Sequence, residues 1–183
     1  MDSQACSDSL FSRRADEITA NLPVPIEFQL PEGWRPVSRR EATASGVVFL
    51  ALHPQPDAGY TANIAVDGGY RPDSAPLTKI ADESVHRLRE VDSTLVVSSR
   101  REVGSPTAPG LTQKLAFAAA IDDRLRELMQ TQVYLSLNDI NDPRERMVLR
   151  LVLTATATQH DAVLGDFQEF VRTVRPDTQT ASP

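Results

Sequence analysis

Apolar and polar residues alternate along several stretches of the chain, and elsewhere apolar residues recur at helical spacing. Residues 24–30 set Ile26, Phe28 and Leu30 against Glu27 and Gln29. A period of two predicts a half-buried strand. Pro31-Glu32-Gly33 then turns the chain, and Trp34 follows. Residues 47–53 (VVFLALH) are almost wholly apolar, as expected of a central strand covered on both faces. A third strand is predicted over 60–67, with Ala62, Ile64 and Val66 on one face and Gly68-Gly69 ending it.

The period then changes. Leu77, Ile80, Ala81, Val85 (or Ser84), Leu88 and Val91 predict an amphipathic helix over 75–91, about four turns long. Ser74 is placed to cap it, and Pro76 is tolerated in the first turn. Asp82, Glu83, Arg87 and Glu90 fall on its wet side. Strand character returns over 95–103, followed by a loop over 104–110 with two prolines. Residues 111–121 alternate again, and Asp122-Asp123 reads as a hairpin turn. Over 124–130 strand and helix both fit, because Leu125, Leu128, Met129 and Gln132 also share helical spacing. The β-rich continuation TQVYLSL favours a return strand over 124–137. A polar loop over 138–146 leads to the strongest strand, 147–158 (MVLRLVLTATAT). Val163, Leu164, Phe167, Phe170, Val171 and Val174 form the stripe of a closing helix over 161–174, which Pro176 stops.

The order β-β-β-α-β-β-β-β-α, with short turns between strands, predicts an α+β fold. It is a mostly antiparallel sheet of about six or seven strands with amphipathic helices packed on it. The expected organisation is a flexible or short helical segment over 1–22, one domain over 23–176, and a disordered polar tail over 177–183. A chain of 183 residues suits one domain.

Composition narrows the function. The net charge is -6, with 19 basic against 25 acidic residues, which argues against a nucleic-acid binder. The single cysteine, Cys6, rules out an intrachain disulfide and a cysteine-built zinc site. The longest apolar run, residues 47–52, is too short to cross a membrane. No apolar stretch follows Met1 as a secretory signal would require, so the cytoplasm is the expected compartment.

Candidate chemistry is sparse. His53, His86 and His160 have no second histidine or cysteine at ligand spacing. Gly68-Gly69 lacks the lysine and helix start of a phosphate loop. The acid pairs Asp82-Glu83, Asp122-Asp123 and Asp139 with Asp142 read as helix, turn and loop residues. The expectation is a non-enzyme without cofactor or metal. An enzymatic site, if present, would group His53, Asp67 and Tyr70, which fall near adjacent strand ends. Trp34 and Tyr70 lie beside turns and are candidate partner contacts. Ala116, Ala118 and Ala120 place small side chains in a strand, where a helix, its own or a partner's, can approach closely.

Three phrases carry a family resemblance: Leu30-Pro31-Glu32-Gly33-Trp34, Ala62-Asn63-Ile64-Ala65-Val66, and Leu151-Val152-Leu153-Thr154-Ala155-Thr156. The last leads into Phe167, Phe170, Val171, Val174 and Arg175-Pro176. With the element order, they resemble the PsbP-like α/β/α sandwich superfamily over residues 24–176. That group includes the Ran-binding Mog proteins, the LpqN/LpqT lipoproteins and the DcrB-like chaperones. The pattern is most similar to the LpqN-like branch, from which the chain departs in lacking a signal and lipobox. The resemblance implies binding rather than catalysis. The function expected is therefore a non-enzymatic adaptor or chaperone-like module recognising an apolar segment of a partner protein. The alternatives are a carrier of a small hydrophobic ligand between sheet and helix, and the enzymatic site above. The expected partner is another protein, with a homodimer through a sheet edge or face also plausible. Neither nucleic acid nor membrane insertion is expected.

Overall fold

The computed structural model describes residues 22, 25–37, 46–138 and 146–176. In chain order, the elements among the described residues are β1 (Ile26–Glu27), β2 (Arg35–Pro36), β3 (Phe49–Leu52), β4 (Asn63–Tyr70) and α1 (Leu77–Val91). They continue with β5 (Val96–Ser105), β6 (Ala108–Ile121), β7 (Arg124–Asn138), β8 (Arg146–Thr156), α2 (His160–Thr173) and β9 (Arg175–Pro176). Seven strands form one sheet in the order β2-β3-β4-β8-β7-β6-β5. Every neighbouring pair in it is antiparallel. β1 and β9 pair with each other in a separate two-stranded sheet.

β8 lies mid-sheet, and its alternate residues serve two different layers. Met147, Leu149, Leu151, Leu153 and Ala155 join Val163, Phe167 and Phe170 of α2 in the main core. Val148 on the opposite face packs with Leu77, Ile80 and Ala81 of α1. The helices therefore cover opposite faces, and the protein is an α/β/α sandwich. Phe28, Phe49 and Phe170 close the α2 layer, with ring centroids 4.7 and 5.1 Å from Phe28.

The layer beneath α1 is unusually polar. Gln113 and Gln132, from adjacent strands, are 1% and 0% exposed. Gln113 Nε2 donates to Gln132 Oε1 at 2.7 Å, and Tyr134 Oη donates to the same oxygen at 2.6 Å. Gln132 Nε2 donates to Gln130 Oε1. Gln130 Nε2 in turn donates to Thr154 Oγ1 at 2.9 Å. Arg100 Nε supplies Gln113 Oε1 at 2.9 Å. Buried amides are tolerated because each finds a partner.

Several sequence expectations are corrected. The strand over 24–30 shrinks to Ile26–Glu27. Phe28 and Leu30 are still packed on the core, but the Gln29 N–H donates to Thr173 Oγ1 at 2.9 Å rather than to a ladder. The alternation thus records burial without strand pairing. Gly68-Gly69 does not end β4, which runs on to Tyr70. A Cβ on Gly68 would meet the Val148 carbonyl oxygen at 3.0 Å, so the glycine marks a close strand approach. The loop over 104–110 tightens to Pro106-Thr107 between Ser105 and Ala108, which pair across the hairpin. Gly104 makes this possible with φ +86, since a Cβ there would lie 2.3 Å from the Ala108 carbonyl oxygen.

Ser74 does not cap α1. The helix begins at Leu77 after Pro76, without a side-chain cap. The Pro76 carbonyl accepts from Lys79 and Ile80 at 3.0 and 3.3 Å. Residues 124–130 are strand, with Ile121 paired to Arg124 and Leu128 to Phe117. Asp122 and Asp123 both take left-handed φ, 48 and 57, as a tight two-residue hairpin requires. Leu125, which suggested a helix, is 75% exposed. Leu22, at the end of the expected N-terminal segment, is buried in the α2 core. Residues 1–21, most of the loop over 138–146, and the tail from 177 lie outside the described residues.

Gln132→Leu is expected to cost about 1–3 kcal/mol, because Gln113 and Tyr134 lose their shared acceptor. Phe170→Ala should cost about 3–5 kcal/mol through the cavity it leaves. Denaturant unfolding of both variants checks the two values.

Candidate functional site

Two apolar strands each carry a charge in their interior, and the sheet sets these side by side. Asp67 of β4 is the direct cross-strand partner of Arg150 of β8. Both point to the α1 face. Arg150 Nε donates to Asp67 Oδ1 and Oδ2 at 3.1 and 3.0 Å, and its NH2 group reaches Oδ2 at 2.5 Å. The NH1 group donates to Ser84 Oγ of α1 at 2.8 Å. Burial alone would lower the Arg150 pKa, but pairing with Asp67 outweighs it and moves it up. Burial pushes the nearby Tyr134 hydroxyl up, against hydrogen bonding to Ser84 and the charge of Arg150.

Above this pair a cleft of about 430 Å³ opens between α1 and the end of β4. Ile80, Val148 and Val47 form apolar parts of its wall, and Gly68-Gly69 lies along its floor. A Cβ added at Gly69 would meet nothing within 4 Å, so the missing side chain helps to make the space. Tyr70, Arg71, Glu83 and Arg87 also line it.

Arg71 is held by two carboxylates. Its Nε and NH2 groups donate to Asp73 at 2.9 Å. Its NH1 and NH2 groups donate to Glu83 at 2.9 and 3.0 Å. Hydrogen bonding to Arg71 holds both the Asp73 and Glu83 carboxyls below their usual range, and the carboxylates in turn raise the Arg71 pKa. A third tie, Arg100 to Asp82 at 2.6 Å, joins α1 to β5. Of the wet-side acids of the sequence reading, Asp82 and Glu90 stay exposed as expected, while Asp82 and Glu83 also reach arginines at β5 and just past β4.

The sequence-derived candidates do not converge. Trp34 is 4% exposed, and its Nε1–H donates to Asp166 Oδ2 at 2.9 Å. That indole is spent on the core and offers no face to a partner. Tyr70 is 42% exposed at the cleft. Ala116, Ala118 and Ala120 lie on β6, on the sheet face that carries α2, away from the cleft. His53, Asp67 and Tyr70 are not one group. The His53 N–H bonds the Ala62 carbonyl at the start of β4, whereas Tyr70 ends that strand, about 23 Å beyond Asn63. His53 packs against Trp34 at a centroid distance of 5.2 Å. His86 is exposed beside Glu90. His160 is fully buried, with Nε2 2.9 Å from Thr131 Oγ1 and Nδ1 3.2 Å from Asp161. Burial lowers its pKa, against the Asp161 hydrogen bond. Among the described residues no three His, Cys, Asp or Glu side chains are grouped to hold a metal. Asp139 and Asp142 lie outside the described residues.

Sequence reasoning missed Arg150, Arg71, Arg87 and Tyr134. One signal was available: Arg150 is the lone charge in MVLRLVLTAT, and a charge within a doubly covered strand demands a partner.

Glu83 has a folded pKa below its unfolded value, so its pairing stabilises the fold above pH 4.5, its ordinary value, and is lost as pH falls through the lower folded pKa. In Arg71→Met the Glu83 carboxyl should titrate back toward 4.5. Carbon-detected NMR titration of both proteins checks this.

No protein-family model and no curated protein matches the sequence. Solved structures do resemble it. LpqN of Mycobacterium tuberculosis, described as involved in cell envelope biogenesis, is 13% identical with a TM-score of 0.60, over 86% of this chain and 88% of that one. The Ran-binding protein Mog1p of Saccharomyces cerevisiae is 14% identical with a TM-score of 0.54, over 82% and 89%. The cyanobacterial PsbP (CyanoP) of Synechocystis sp. PCC 6803 is 14% identical with a TM-score of 0.52, over 83% and 86%. A seven-stranded antiparallel sheet with a helix on each face, matched across most of all three chains, is the PsbP/Mog-like fold, and this chain has it.

Proposed function

We propose that the chain is a non-enzymatic protein-binding module that meets its partner across the α1–β4 cleft. The observation that carries this reading is the cleft itself: open to solvent, rimmed by Tyr70, and lined by Arg87 and the ion pairs Arg71–Glu83 and Arg150–Asp67. General acid–base work calls for a group whose pKa lies near the working pH. The Glu83 and Asp73 carboxyls are moved the other way, deeper into their charged form. Fixed charges of that kind orient a partner rather than exchange protons with it. Partly exposed tyrosine beside a cleft is typical of contact surfaces. One protein of this fold, Mog1p, is named for a protein partner.

The charged lining also bears on which partner. An apolar helix or lipid-like ligand seated here would strip water from Asp67, Arg71, Glu83 and Arg150 without replacing their hydrogen bonds, which is costly. The adaptor reading therefore goes with a polar partner segment, and the carrier of a hydrophobic ligand is disfavoured at this cleft.

A photocrosslinking amino acid at Tyr70, introduced in the native host, should give one dominant protein adduct. The same group at Glu169, on the outer side of α2, should not. Gly69→Trp, which fills the cleft floor, should abolish the Tyr70 adduct while circular dichroism stays native. An adduct at the mass of two chains would identify a second copy as the partner. Equal adducts from both positions, or none, would overturn the reading.

A further inference from the structure

The cleft is lined by charges of both signs. Three guanidiniums line it, Arg71, Arg87 and Arg150, against the carboxylates of Asp67 and Glu83. Two of the three are spoken for, Arg71 by Asp73 and Glu83, and Arg150 by Asp67 and Ser84. Arg87 is different. Its natural helix partner is Glu83, four residues earlier, but Glu83 gives both oxygens to Arg71. Arg87 is exposed at the cleft and has no hydrogen-bond acceptor among the described residues. Among the described residues its charge acts on Glu83 through space, without a hydrogen bond to it.

The floor supplies a second feature. The last backbone bond of the β3–β4 ladder is Val48 N–H to the Val66 carbonyl, at 2.9 Å. β4 continues to Tyr70, so among the described residues its β3 side is unpaired at Gly68. An open strand edge is what an extended peptide uses for main-chain hydrogen bonds.

Building on the protein-binding reading, we infer that the cleft receives an extended acidic segment of a partner protein, with an Asp or Glu carboxylate bound by Arg87. A planar carboxylate matches the fork of one guanidinium. The strand edge at Gly68 favours a peptide over a free carboxylic acid, which has no main chain to pair.

The test is NMR titration of the full, isotope-labelled chain with three probes: a decapeptide of alternating Glu and Ser, its Gln counterpart, and sodium acetate. The Glu peptide should shift the amide signals of Gly68, Gly69, Tyr70 and Arg87 saturably. Its affinity should fall about tenfold in Arg87→Glu and by less in Arg87→Gln. Arg172→Glu, on α2, should leave it unchanged. The Gln peptide should bind at least several-fold more weakly. Equal binding of the Gln peptide, or indifference to Arg87→Glu, would overturn the carboxylate contact. Acetate binding as tightly as the peptide would overturn the peptide source. A Tyr70 crosslink to protein that persists in Arg87→Glu would sink this inference and leave the protein-binding reading standing.

Discussion

Arg150 lies in the middle of a strand that is covered on both faces, and its charge has to be answered where it stands. Asp67 answers it from directly across the β4–β8 ladder. That pairing ties the register of the sheet to its chemistry. Because side chains alternate, a slip of one residue would turn Asp67 toward the α2 core, among Phe167, Phe170 and the leucines of β8. Ser84 then brings α1 to the same guanidinium. One charged pair thus fixes which strands meet, in which register, and where the helix above them lies.

The two faces of the sheet are built on different terms. Beneath α2 the contacts are mainly aromatic and aliphatic. Beneath α1 they are a chain of amides, a tyrosine and ion pairs, with smaller apolar clusters between. Three side chains of α1 are tied to arginines, Asp82 to Arg100, Ser84 to Arg150 and Glu83 to Arg71. Apolar clusters seat the helix on the sheet, and these ties fix its place along it. At the β4 end, where Gly69 adds no side chain, the cleft opens.

Proteins of this fold with different named roles share the sandwich at 13–14% identity. What is common to them is architecture. A function is argued from the charges of this cleft and not from the scaffold.

The sequence by itself determined the layers. Periods of two and 3.6 residues located α1, α2 and the long strands, because burying an apolar face imposes its period on the chain. It also marked the Asp122-Asp123 hairpin, since so short a turn needs residues tolerant of left-handed backbone. Strand ends were less legible. Gly68-Gly69 and the prolines around residue 106 look like breaks in one dimension, and only contact with β8 and the β5–β6 hairpin shows them to be within or beside paired strands. Trp34 and Tyr70 looked alike in the sequence, each beside a turn. The fold buried one against Asp166 and left the other at a cleft. The site itself was decided by tertiary structure. Asp67 and Arg150 are 83 residues apart, and Arg71, Glu83 and Arg87 each have a routine reading taken singly. Their joint meaning depends on which charge pairs with which, and pairing is a property of distance in space, which local sequence does not encode.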